Sequence, residues 1–390
     1  MTILLLLFYL AFPVLLLYLG TRFTLINKIG VVVFCYVGGL ILGNINVIPE
    51  SMDALLGDLM GVSILFGIPL VLFSENILRW SKMARSTFIS LLLGVVSVVI
   101  MVFLGFFLLR DHIPNAWKVS GMLIGVYTGG TPNLAAIAQG LNIDEDLYIL
   151  THTVDLAVGA LVLLFLITIA QRFFLLFMKP YRPNGAAFNP EKGEALASEF
   201  DSYEGFFRRE NLPGILKALG LGVLIFGAGY GMTFLFSGEA KDTAAILTVT
   251  TLGILLSLVP AVNRNRKSFQ LGMYFIYVFC VIVASRANLK ELFAPDSLQL
   301  LLYMSLFIGM AVLGSLVLHA LLSRIFGINV DEFMMTSTAL SNSPPFVPVV
   351  AAALKNKEVM LPGMIVGVIG YAIGNYLGVI IAYLLKGFAG

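Results

Sequence analysis

An all-α, polytopic membrane protein with about twelve spanning segments in two similar halves is the fold class this sequence predicts. Three observations predict it. Of the 390 residues, 59% are hydrophobic and 12% charged, with a mean hydropathy of +0.97, too few polar groups to clothe a water-soluble domain. Apolar runs long enough to cross a bilayer recur from end to end. The segments before a long polar stretch at 179–210 are matched in order and spacing by those after it.

The same composition excludes other classes. The net charge is +2 and the basic residues are scattered, so there is no face for nucleic acid. Cys35 and Cys280 lie inside apolar segments and read as packing residues. CxxC, HExxH, Walker and GxSxG patterns are absent, so neither an enzyme nor a resident cofactor is expected. The expected surroundings are a lipid bilayer, reached as a multi-pass protein of the cell's inner (plasma) membrane.

The first segment, 3–20, has no charged leader region and no small-residue cleavage site, so it reads as a spanning helix. Further segments follow at 28–43, 54–74, 85–109, 116–140 and 146–177. The second set runs 214–236, 243–260, 268–287, 298–324, 331–354 and 359–387. Each start in the second set lies a little over half the chain beyond its counterpart. This defines a first repeat at 1–177, a polar linker at 178–212 and a second repeat at 213–390. Internal repeats of this kind underlie many transporter folds.

The repeat pairs two odd segments. "YTGGTPNLAAIAQGLN", from Tyr127, faces "TSTALSNSPPFVPVVAAALKN", from Thr336. Thr128, Gly129, Gly130, Thr131, Pro132 and Asn133 interrupt the first; Ser341, Asn342, Ser343, Pro344 and Pro345 interrupt the second. Proline removes an amide hydrogen and glycine loosens the helix. Backbone groups freed in this way must face protein or a polar cavity. One such break reads as a tolerated proline kink; two in matching positions point to a transporter's binding site.

Charge patterning constrains the orientation. Six crossings per half would make the repeats parallel. That would put Arg22, Lys28, Arg79, Lys82 and Arg85 on the opposite side from the linker and from Arg264, Arg266 and Lys267. The positive-inside rule wants them together. Inverted repeats satisfy it, provided the count is one crossing too high. Segment 146–177 is one suspect, since about 32 residues at about 1.5 Å each exceed the bilayer.

His152 and Asp155 sit one helical turn apart on the segment after the first break. Asp155 lies about 13 Å into its helix, close to mid-bilayer. An acid there is costly and is read as a site for Na⁺ or for a proton, with His152 tuning or relaying; the bland reading is a solvated or structurally paired acid. Asn375, one turn after Tyr371, is the polar member of the matching second-half segment. Asp58 and Glu75 read as interfacial, and His319 as packing or interfacial. Gly367, Gly370, Gly374 and Gly378 read as a close-packing face. The half-helices starting after Thr131–Pro132 and Pro344–Pro345 would suit a carboxylate, with Thr131, Asn133, Ser341, Asn342 and Ser343 adding hydrogen bonds.

"GVYTGGTPNLAAIAQGL", "SPPFVPVVAAALKN" and the closing "LPGMIVGVIGYAIGNYLG" together resemble the bacterial membrane family called domain of unknown function 819. The likeness covers nearly the whole chain, and its closing motif is the most specific part. That family looks related to cation/proton antiporters and to sodium-coupled bile-acid and glutamate symporters. The resemblance implies inverted repeats, two broken helices crossing at the centre, and a core that moves against a scaffold. Ser343–Pro344–Pro345 stands where a glycine–proline pair is expected, and the acidic pair of some antiporters is reduced to Asp155 preceded by Val154.

The expectation is a homodimeric secondary transporter. Its core is 85–177 with 298–390, and its scaffold 1–78 with 213–290. A small organic anion is the first substrate reading and bare cation/proton exchange the second. A passive channel, or an intramembrane hydrolase built from His152, Asp155 and Ser341, ranks below both, because residue types alone do not make a triad.

Overall fold

The computed structural model describes residues 2–23, 26, 31–45, 47–74, 85–182, 203, 206, 208–237, 240–265, 267–286 and 297–388. Lys28, Glu75, Arg79, Lys82, Arg266 and the linker stretch 183–202 lie outside the described residues. The first half contains α1 (Thr2–Arg22), α2 (Val31–Asn44), α3 (Asp53–Phe73), α4 (Arg85–Leu109), α5 (Ala116–Gly129), α6 (Thr131–Gly140), α7 (Glu145–Thr168) and α8 (Ala170–Leu175). The second half contains α9 (Leu212–Met232), α10 (Ala240–Ser257), α11 (Lys267–Arg286) and α12 (Ser297–Gly309). A π turn at Met310–Gly314 joins α12 to α13 (Ser315–Ile325), and α14 (Val330–Ser341), α15 (Val347–Ala353) and α16 (Met360–Lys386) follow. Nine helices among the described residues are long and apolar enough to cross a bilayer, and Val31–Asn44 is a shorter apolar helix. The protein is a multi-pass, all-α membrane protein.

The chain forms two compact units. The first comprises Met1–Ser74, Ala138–Thr153 and Tyr203–Leu301; the second comprises Glu75–Ile137, Val154–Ser202 and Leu302–Gly390. In the first, α2 lies directly against α11: a Cβ on Gly39 would strike the Val281 carbonyl, and one on Gly43 that of Ser285. The Tyr9 hydroxyl reaches Ser285 Oγ at 2.8 Å, tying α1 to the same helix.

In the second unit, polar contacts mark two ends. At one end, Ser86 Oγ donates to Glu332 (2.8 Å), Gln171 to Asp331 (3.0 Å) and Asn356 to Asp331 (2.8 Å). Tyr181 donates to Glu358 at the same end (2.6 Å). Burial, together with the Glu358 carboxylate, raises the Tyr181 phenol well above its ordinary range, so it stays a donor at physiological pH. At the other end, Arg110 donates to the Phe388 carbonyl, and Lys386 Nζ lies 4.8 Å from the Trp117 ring centre.

These contacts show that both broken segments fold back on themselves. Ile137 on α6 packs where a Cβ on Gly125 of α5 would sit. A straight continuation would carry it about 18 Å away, at about 1.5 Å per residue. Likewise Asn356 beyond α15 bonds Asp331 at the start of α14, which a continuous helix would place about 37 Å apart. Each is a helical hairpin. The first enters from the Trp117 end and the second from the Glu332 end. Among the described residues, the twelve apolar segments therefore resolve into nine helices of crossing length, the shorter apolar helix Val31–Asn44 and two hairpins. The surplus is one crossing in each half, at 116–140 and at 331–354, while 146–177 is α7 followed by the short α8.

Local sequence explains the fold-backs. Gly130 turns the chain at φ +77° and ψ −165°, and Pro132 follows at the second residue of α6, where an amide hydrogen has no helical acceptor to lose. In the second hairpin Ser343 adopts nearly the same shape, φ +74° and ψ +160°, just before Pro344. That region is essentially reserved for glycine. Ser343→Gly should raise the thermal midpoint of the purified protein. The relieved strain is about 1–3 kcal/mol, against about 0.4–1 kcal/mol for glycine's extra freedom when unfolded. A lowered midpoint by scanning fluorimetry would contradict a strained tip.

Candidate functional site

Both hairpins rest on one face of α16, and that face is glycine. A Cβ on Gly367 would strike Pro344, one on Gly370 the Thr128 carbonyl, one on Gly374 the Asn133 amide, and one on Gly378 Ile137. The Asn133 side chain donates to the Gly370 carbonyl at 3.1 Å, pinning the first hairpin just past its turn. Asn375 follows Gly374 on the same helix and is buried. The hairpin tips meet: a Cβ on Gly130 would strike Ser343 Oγ.

Asp155 is brought to this meeting point by α7. It is 7% exposed and lies beside the Tyr127 hydroxyl of the first hairpin, outside strict hydrogen-bond geometry but close enough to interact. One turn further along α7, the Gly159 carbonyl accepts from Asn342 of the second hairpin at 3.1 Å. A single turn of α7 thus faces both tips. Asn342 Oδ1 in turn accepts from Ser341 Oγ at 3.0 Å, while Ser341 also caps the Ser337 carbonyl at 2.7 Å. The Thr128 hydroxyl folds back onto its own helix, donating to the Ile124 carbonyl at 2.7 Å.

His152 is placed in the first unit. Its Nδ1 shares a 2.7 Å hydrogen bond with the Tyr36 hydroxyl, which bonds Tyr148 at 2.8 Å. The side chain is fully buried in that tyrosine network. Sequence reasoning singled out Gly129, Gly130, Thr131, Pro132, Asn133, Asp155 and the Ser341–Pro345 stretch, all of which belong to the second unit. It passed over Tyr127 and Gly159. Tyr127 carried a signal, being a hydroxyl three residues before a glycine break; Gly159 contributes only a carbonyl and carried none.

The arrangement offers hydroxyl, amide and carbonyl dipoles with one buried carboxylate. No group of three or more metal-ligating side chains of the His, Cys, Asp and Glu types occurs among the described residues. Any cation here would be held mainly by carbonyls and hydroxyls, which suits Na⁺ rather than a transition metal.

Fold and site together define a polytopic membrane protein with two opposed, tip-to-tip helical hairpins. The chain belongs to the family described as "Protein of unknown function (DUF819)", whose model matches residues 5–388. It is 26% identical over 372 residues to the "Uncharacterized membrane protein YjcL" of Bacillus subtilis (strain 168), covering 92% of this chain and 91% of that protein.

Gly370→Ala should drive the first hairpin off α16 and lower the thermal midpoint, since overpacking of this kind costs about 1–3 kcal/mol. Gly220→Ala, where a Cβ meets nothing within 4 Å, should be neutral or stabilising. Equal midpoints for the two variants would refute the glycine face as a seat for the hairpins.

Proposed function

We propose that the protein is a secondary active transporter of inverted-repeat design, coupled to Na⁺ or H⁺ at Asp155. The observation that carries this reading is the pair of hairpins entering from opposite ends and meeting beside a buried acid. Irregular backbone at that depth is tolerated only around protein or a wet cavity. A functional role is the default reading of an acid held there.

Chain topology supports the inverted design. Each half contributes five helices of crossing type and one hairpin, and an odd number of crossings reverses the second half. Followed through ten crossings, the basic stretches around Arg22, Arg85, the linker and Arg264 all fall on one side, as the positive-inside rule requires. That side is cytoplasmic, and the Ser86–Glu332 end belongs to it.

On this reading the second unit carries the substrate and the first is the scaffold and dimer contact. The substrate is a small organic anion. No lysine or arginine occurs among residues 127–137 or 333–347, so its carboxylate would be met by hairpin amides and by Asn133, Ser341, Asn342 and Ser343. Bare cation/proton exchange is the competing outcome, and it needs no organic ligand. The protein acts as a carrier and not as an enzyme.

Asp155→Asn keeps the shape and removes the charge. In proteoliposomes it should abolish the dependence of uptake on Na⁺ or on pH, with the variant still folded by size-exclusion and thermal midpoint. Wild-type ion dependence in that variant would remove Asp155 from the mechanism.

A further inference from the structure

We propose that internal water runs through the second unit from the Ser86–Glu332 end to the hairpin tips, and that His319, held between two serines, passes protons along it. The purpose of this line in transport rests on the carrier function above; the hydration itself does not.

A cavity of about 20 Å³ lies against the tips, lined by Tyr127, Val312, Ser315, His319, Ser337 and Ser341 among others. One water needs roughly 10–15 Å³ on this scale and two to four polar partners. The lining supplies both. The π turn at Met310–Gly314 borders the cavity through Val312, and such turns frequently mark functional sites. Gly94 keeps the space open, because a Cβ there would come within 2.6 Å of Leu340 and 3.3 Å of the His319 ring.

His319 is 2% exposed. Its Nδ1 lies 2.9 Å from Ser337 Oγ, and its Nε2 lies 3.2 Å from Ser90 Oγ. A serine hydroxyl both donates and accepts, so either ring tautomer is satisfied. One turn nearer the Glu332 end, Thr87 Oγ1 and Ser323 Oγ are buried without a hydrogen-bond partner among the described residues. Buried hydroxyls of this kind are commonly satisfied by water. One residue beyond Thr87, Ser86 donates to Glu332, which is half-buried.

A proton arriving on cavity water passes to Ser337 Oγ as Ser337 gives its own to Nδ1, which leaves the ring transiently protonated. Nε2 then releases its proton to Ser90 Oγ as Ser90 gives its own to water beside Thr87, so one proton crosses and every group ends with the number it began with. The elements packed around the ring contribute Ser90 and Gly94 from α4, Ser337 and the Phe333 ring edge from α14, and Ser315 and Ser323 from its own helix. Their ionisable groups are Arg85, Asp331, Glu332 and Arg324, with Tyr127 across the cavity. Asp331 is bonded to Gln171 and Asn356, Glu332 to Ser86, and Arg324 lies over Phe177.

Two measurements on the full-length purified protein test this without any substrate. The first is hydroxyl-radical footprinting by a short X-ray pulse, in which bound water is the probe. Tyr127 and His319 should label about tenfold faster than the fully buried Phe106 and Phe307 if ordered water touches them. Labelling as slow as those phenylalanines would overturn the water line. In Gly94→Ala the Tyr127 rate should fall towards the phenylalanine level, and an undiminished rate would also count against it. The second is deuterium exchange at the His319 Cε1 position, which requires a transiently protonated ring. Exchange within about tenfold of the exposed His112 supports the relay, as expected where water reaches the ring. No exchange over days would overturn the relay. Neither readout depends on Asp155, so failure here and failure of the transporter function are told apart.

Discussion

The bare glycine face of α16 is the constraint on which the rest of the second unit depends. Two hairpins arriving from opposite ends can share one supporting helix only if their backbones come within backbone-to-backbone distance of it. At Gly370 the neighbour is a carbonyl oxygen, at Gly374 an amide side chain and at Gly367 a proline ring. No side chain fits at any of the three. Apolar burial contributes little to such contacts inside a membrane, where lipid is as apolar as leucine. Close van der Waals packing and polar pairing, such as Asn133 to the Gly370 carbonyl, do most of the holding.

Much of this was legible in the sequence, and the reason differs by feature. The breaks were visible because glycine and proline change backbone physics wherever they fall. The glycines of α16, spaced three and four residues apart, were visible as a packing face, though not what they pack against. The direction of the chain after each break was not visible. A run such as "NLAAIAQG" is equally apolar whether it continues across or turns back, and hydropathy carries no direction. Charge did bear on it: the positive-inside conflict pointed to a count of crossings that is too high, and each fold-back lowers that count. Length alone makes 146–177 one suspect, whereas the fold-backs lie in the two segments that glycine and proline already break.

The tips show the same backbone shape with different residues, Gly130 in one and Ser343 in the other. Matching φ and ψ at equivalent points fits two halves that solve one geometric problem twice. The cost is unequal, since serine is strained where glycine is free. The serine hydroxyl is what the first tip meets, so Ser343 trades backbone comfort for a polar atom at the point of contact. His319 shows how a residue read as bland from sequence changes meaning once its neighbours are known. A lone histidine on an apolar helix carries no functional signal until serines from two other helices are found on its two ring nitrogens.

Asp155 and Gly159 give the proposed coupling a physical route. They are one turn apart on a single rigid helix, the acid beside Tyr127 of one hairpin and the carbonyl bonded to Asn342 of the other. A ligand shifts a conformational equilibrium only through contacts that differ between states. Charge at Asp155 is such a contact if ion binding changes how firmly Tyr127 is drawn to α7. Any movement of α7 that follows must stretch or release the Asn342 bond within the same turn. On the proposed function, one ion would therefore bias both tips at once. The coupling would need neither a long relay between sites nor a second acid, which accounts for a site organised around a single carboxylate.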